Sequence, residues 1–171
     1  MSISICQFPR RWKTARVTAI FKSGELSDVN NYRPISVLPV LSKLLERHVY
    51  EHFLHFLNVN NLFYSNQSGF RRTFSTETAL SYLIDSLLFN LDNNQISGLV
   101  LVDYMKAFDM VDHSILLKKL EMYKCEPNTL NWFKSYLSDR QQFVTYKGAS
   151  SSTLTITDGV PQGSILGPLL F

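Results

Sequence analysis

Apolar positions along the chain alternate between helical and strand spacing. Leu41, Leu44, Leu45, Val49, Phe53, Leu54 and Leu57 recur every three or four residues, which predicts an amphipathic helix from Val40 to about Leu57. Leu80, Leu83, Ile84, Leu87 and Leu88 repeat the pattern and predict a helix from Glu77 to about Leu91, with one buried stripe and a cap at Ser75 or Thr76. Two further helices are predicted, His113 to Tyr123 and Asn128 to Leu137; the second carries Leu130, Trp132, Phe133 and Leu137. Val17–Phe21, Phe143–Tyr146 and Leu154–Thr157 read as strands, the last two as a hairpin about the turn at 148–152. Leu99-Val100-Leu101-Val102 is an unbroken apolar run opened by Gly98, the pattern of a strand buried on both faces, and it runs directly into Asp103. A carboxylate at the edge of an apolar core is costly to desolvate, so Asp103 is expected to face a cleft. Two-metal phosphoryl-transfer sites require carboxylates held in this way.

Composition narrows the class. A chain of 171 residues with 45% hydrophobic residues has room for one domain, or two lobes of one, around a sizeable core. Cys6 and Cys125 lie far apart without metal-ligand spacing, which fits reduced thiols in an intracellular protein. The residues before Phe8 are too few and too weakly apolar for a secretory signal, and no apolar run reaches spanning length, so a soluble protein without membrane contact is expected. Net charge is +3, divided unevenly: residues 1–80 carry +5 and residues 81–171 carry −2. A basic half beside an acidic half suits a lobe that holds a polyanion and a lobe that holds metal ions.

Some stretches suggest chemistry on their own. Arg10-Arg11-Trp12-Lys13 interleaves cations with a ring, a composition that can grip phosphates and stack on a base. His48-Val49-Tyr50-Glu51-His52 matches a helical zinc-hydrolase pattern in which two histidines share a face beside a general-base glutamate, with Glu121 or Glu126 as a conceivable third ligand. The competing reading of these histidines is a solvent-facing helix surface.

Four ordered blocks carry a more specific signal: Asn31-Tyr32-Arg33-Pro34-Ile35-Ser36, Gln67-Ser68-Gly69-Phe70-Arg71, the run from Leu99 through Asp103 to His113, and Gly159-Val160-Pro161-Gln162-Gly163-Ser164-Ile165-Leu166-Gly167-Pro168. Together they resemble the reverse transcriptase domain of non-LTR, LINE-like retrotransposons from about Trp12 to Phe171. The resemblance implies an α/β fold of α+β type. Residues 10–95 would be a helix-rich fingers lobe, and residues 96–171 a partial palm with an antiparallel sheet and packed helices. It implies RNA-directed DNA polymerisation with Mg²⁺, an RNA template, a DNA primer and a dNTP, by a monomer.

Residue by residue, Asp103 falls on the catalytic metal-binding aspartate, and the Tyr104 backbone carbonyl would add a second metal ligand. Phe108 falls on the aromatic gate that rejects a ribose 2′-hydroxyl by bulk. Arg33 and Lys43 fall on the triphosphate clamp. Gln162 would contact the incoming nucleotide, and Arg71 and Gly163 the template. Asp109 and Asp112 read instead as caps for the helix at His113. The chain has no adjacent aspartates, so the Ala-Asp-Asp hairpin, the primer grip and the thumb of the family are expected to be missing and polymerase activity of this chain alone negligible. The alternatives are a non-catalytic nucleic-acid-binding remnant and, third, a zinc hydrolase using His48, Glu51 and His52.

Overall fold

The computed structural model describes residues 2–171, which form two compact units: residues 2–56 together with 106–171, and residues 57–105. The first unit is built on a five-stranded sheet. β1 (Thr14–Phe21) pairs with β2 (Tyr32–Val37) antiparallel and with β3 (Arg140–Tyr146) parallel; β3 also pairs antiparallel with β4 (Ala149–Ser150) and β5 (Leu154–Ile156). The α/β reading therefore holds, with one parallel ladder in an otherwise antiparallel sheet. No strand is predicted over β2; the only local signal is Pro34, which biases Arg33 toward an extended backbone. Pro34 lacks a donor, yet β2 tolerates it as the terminal strand of the path β2-β1-β3-β4.

Helices α1 (Val40–Val59), α2 (Thr76–Asp92), α3 (His113–Met122) and α4 (Pro127–Leu137) follow the predicted periodicities closely, and a single further turn, α5 (Gly167–Leu170), ends the described chain. Pro127 opens α4 at its first turn, where its missing N–H would find no helical partner in any case. Asp112 caps α3: its Oδ1 accepts the main-chain N–H groups of Ser114 and Ile115 at 2.7 and 2.9 Å. Asp109 does not cap; it lies in a 3-10 turn, Ala107–Met110. The core of the first unit gathers Phe8, Phe53, Trp132, Phe133, Tyr136, Leu137, Val160, Leu166 and Leu170. Phe8 meets Trp132 and Tyr136 edge to face at 5.7 and 5.0 Å, and Phe133 meets Phe53 at 5.1 Å.

The second unit holds α2 and the segments that flank it. Ser75 and Thr78 form a reciprocal capping box, so the local start signal is obeyed. The expected buried stripe is not: α2 buries none of its residues, and Leu80, Ile84 and Leu88 are exposed. The expected strand at Leu99–Val102 is also corrected. The segment has no strand pairing, and Val100 and Leu101 are more than four-fifths exposed. An apolar run becomes a buried strand only when neighbours supply main-chain partners and cover, and no strand among the described residues pairs with this one.

Candidate nucleotide and template site

The best-defined part of the site is the turn Pro161-Gln162-Gly163, in the first unit. The Gln162 carbonyl accepts the Ser36 N–H of β2 at 2.8 Å. Gly163 has φ +115°, and a Cβ there would stand 2.6 Å from the Ser36 carbonyl oxygen. Both its conformation and this close approach require glycine. On the far side of the turn, the Pro161 carbonyl accepts the N–H and the hydroxyl of Ser164 at 3.0 and 2.8 Å, and Ser164 Oγ accepts the Gly167 N–H at 2.9 Å. The turn is thus fastened to a strand at one end and closed by its own serine at the other.

The segment before it is joined to the turn containing Phe108. Val160 N–H donates to the Phe108 carbonyl and Gly159 N–H to the Val111 carbonyl, both at 2.8 Å, and His113 Nε2 lies 2.7 Å from the Gly159 carbonyl. A Cβ on Gly159 would meet the Asp109 backbone at 2.7 Å. The Phe108 ring stacks on Phe171 at 5.0 Å. These contacts enclose a cavity of about 250 Å³ lined by Pro34, Ser36, Asp109, Arg140, Asp158 and Gln162, among others. Gln162 is half-buried at its wall.

Arg33 is exposed on β2 opposite Ile20 of β1, and Lys43 is half-buried in the first turn of α1. Both sit in the first unit with Phe108, Gln162 and Gly163, whereas Arg71, Asp103 and Tyr104 belong to the second. There Arg71 donates to the Gln67 carbonyl at 3.3 Å and lies over the Phe74 ring at 4.4 Å, which orients the guanidinium within its loop. Asp103 is exposed in the unpaired segment, with Tyr104 exposed beside it. The strand end expected to carry the aspartate into a cleft is therefore not what its local chain adopts.

Arg140 is a polar residue that the sequence does not single out. It is fully buried, its Nη1 donates to the Tyr136 carbonyl at 3.0 Å, and its Nε and Nη2 have no partner. Its only signal in the sequence is a charge beside Asp139 just before a strand. Lys13, in the basic stretch, is also buried; desolvation chiefly lowers its pKa, and nearby Arg140 and Arg10 add to the effect, against the pull of Asp139. Together with Arg10 and Lys134 it lines a cavity of about 1040 Å³.

The zinc pattern fails as a constellation. His48 and His52 share a helix face, with ring centroids 4.4 Å apart. Among the described residues, however, no three His, Cys, Asp or Glu side chains are grouped to hold a metal, so neither Glu121 nor Glu126 completes a set. The same holds around Asp103: the one carboxylate and the Tyr104 carbonyl do not by themselves make a two-ion site, although Mg²⁺ is the ion that reverse transcriptases generally use. No helix is long and apolar enough to cross a membrane among the described residues.

A mixed sheet with packed helices and a glycine-dependent Pro-Gln-Gly turn bordering a cavity defines an α/β fold of the kind found in fingers and palm of nucleic-acid polymerases. Residues 20–171 match the model of the family "Reverse transcriptase (RNA-dependent DNA polymerase)", and the chain belongs to that family. It is 35% identical to the RNA-directed DNA polymerase from mobile element jockey of Drosophila melanogaster, over 99% of this chain and 18% of that protein. It is also 35% identical to the probable RNA-directed DNA polymerase from transposon BS of the same fly, over 96% of this chain and 18% of the relative. A Pol polyprotein from the type-1 retrotransposable element R2 of Popillia japonica is 30% identical over 95% of the chain. These relatives bear out the non-LTR resemblance; the chain spans under a fifth of the first two.

Proposed function

We propose that this chain is the fingers and first part of the palm of an RNA-directed DNA polymerase, residues 10–95 and 96–171, acting in Mg²⁺-dependent nucleotidyl transfer on an RNA template with a DNA primer and dNTPs. The observation that carries the proposal is the Pro161–Gly163 turn, where glycine is sterically required and Gln162 borders a cavity beside the Phe108 turn. Under this reading Gln162 contacts the incoming nucleotide and Gly163 lets the template approach the backbone. Phe108 presents its ring to the sugar, where a 2′-hydroxyl has no room. Arg33 and Lys43 supply positive charge to the triphosphate, and Arg71, oriented by Phe74, takes a template phosphate. Asp103 and the Tyr104 carbonyl would hold Mg²⁺, which would polarise the phosphate under attack. Holding the nucleotide, excluding ribose and orienting the template are the tasks of this segment's own residues.

The test is a chimera in which residues 1–171 replace the matching segment of the jockey polymerase, assayed by primer extension on poly(rA) with dTTP and Mg²⁺. The chimera should extend primers, and Asp103→Ala should abolish extension. Persistence of activity in Asp103→Ala, or a correctly folded but inactive chimera, would overturn the proposal. The cavity lined by Arg10, Lys13 and Lys134 favours a second reading, a non-catalytic nucleic-acid-binding remnant, and an inactive chimera that still binds RNA would select it.

A further inference from the structure

The most deeply buried carboxylate of the first unit has no part in the chemistry above. Glu46, on α1, has no exposed surface. Its oxygens have separate partners: Oε1 accepts the Ser42 hydroxyl at 2.9 Å, and Oε2 accepts the Ile165 N–H at 2.8 Å, with the Leu166 N–H at 3.5 Å. A desolvated carboxylate is retained only where donors meet it, and charge-assisted bonds to main-chain N–H groups are among the strongest available. The donor here is not on α1 itself; it lies 119 residues away, two positions after Gly163.

The surroundings reinforce the contact. Tyr136 is fully buried with its hydroxyl next to Glu46 and Ser164 but without a hydrogen-bond partner. Burial first, and the Glu46 charge second, push its phenol pKa upward, so it stays neutral beside the carboxylate. Arg140 lies 4.8 Å from the centroid of the Tyr136 ring, and its positive charge pulls the phenol pKa the other way without reversing the shift. The turn is therefore fixed at two separate points: β2 holds the Gln162 carbonyl through Ser36 N–H, and α1 holds the Ile165 N–H through Glu46.

We infer that Glu46 is a positioning residue for Gln162, pinning the far side of the Pro161–Gly163 turn so that the Gln162 amide is presented at the cavity wall in one orientation. The inference rests on the reading of Gln162 as the nucleotide contact. α1 thereby acts as more than packing: it carries a buried acceptor whose target is a main-chain donor of the substrate-facing turn.

The decisive measurement is amide hydrogen exchange, by NMR, on the 171-residue chain with Glu46→Ala, Glu46→Gln and Ser42→Ala. Glu46→Ala should speed exchange at both Ile165 and Ser36 by about tenfold or more relative to α4 amides. Glu46→Gln, which keeps an acceptor for Ile165 while Ser42 turns to accept, should restore most of the protection. Ser42→Ala, which leaves Glu46 in place, should give a smaller change of the same kind and serves if Glu46→Ala does not fold. Unchanged protection of Ser36 in all three variants would overturn the inference. In the chimera, Glu46→Ala should raise KM for dTTP, and the double variant with Gln162→Ala should be no worse than Gln162→Ala alone, because both act through one amide. Additive losses would mean a purely structural role. A Gln162→Ala variant with normal KM would overturn the nucleotide reading while leaving the exchange result intact.

Discussion

The two units obey the same local rules and differ in what those rules achieve. In the first, an amphipathic helix such as α4 packs against α3 and buries Trp132, Phe133, Tyr136 and Leu137. In the second, α2 has an equally regular apolar spacing and a reciprocal cap, yet buries nothing. Periodicity and capping decide whether a helix forms, whereas burial depends on what the rest of the fold provides to cover it. The candidate site follows the same division. The Gln162 turn is fastened by main-chain and buried contacts, while Asp103 sits on an apolar segment with no strand partner among the described residues.

The largest effect expected is on chemistry. In the chimera, Asp103→Ala should lower primer extension by at least about a thousandfold, because removing a transition-state contact acts directly on rate. Extension within tenfold of the parent would show that another group performs this task. Next is stability. Phe133→Ala, at a fully buried position in ring contact with Phe53 and Trp132, should cost about 3–5 kcal/mol by denaturant unfolding, against about 0.5 kcal/mol or less for Leu88→Ala on α2. Comparable losses at the two sites would break the contrast between the units.

Glycines give a finer comparison. Gly163→Ala forces a side chain against the Ser36 carbonyl at a positive φ and should cost about 1–3 kcal/mol and disturb the Ser36 amide resonance. Gly98→Ala, with nothing within 4 Å of the added carbon, should be close to neutral by the same measurement. The smallest effect concerns pH. The Ser114 hydroxyl, with the Ile115 and Ser114 N–H groups, holds the Asp112 carboxyl below its ordinary range. With a depressed folded pKa, the cap contributes above the ordinary carboxylate pKa and is lost as pH falls through the lowered value. Acid titration should therefore shift the Ser114 and Ile115 amides at a pH below 3.8, and Asp112→Asn should remove that step.

Much of this was legible in the residues. The helical repeats, the strands at Val17–Phe21 and Phe143–Tyr146 and the caps at Ser75 and Asp112 are local signals, and each is realised. The strand over Tyr32–Val37 was not legible, because Pro34 and the polar residues before it argue for a loop and only pairing with β1 overrides them. Leu99–Val102 failed in the opposite sense: its composition suits a strand buried on both faces, and a pairing partner is a property of the whole fold. Gln162 and Gly163 stood out through their motif. Glu46 and Arg140 did not, since a charge within a helix or at a strand edge reads as surface until the core is known to close over it.

The contrast between a fastened turn and an unpaired acidic segment is tested most directly by hydrogen–deuterium exchange of the 171-residue chain, read by mass spectrometry over residues 158–167 and 98–105. Strong protection of 158–167 with near-complete early exchange of 98–105 is the predicted result. Protection of 98–105 at the level of the sheet would contradict it, and would mean that the Asp103 segment acquires strand pairing within this chain.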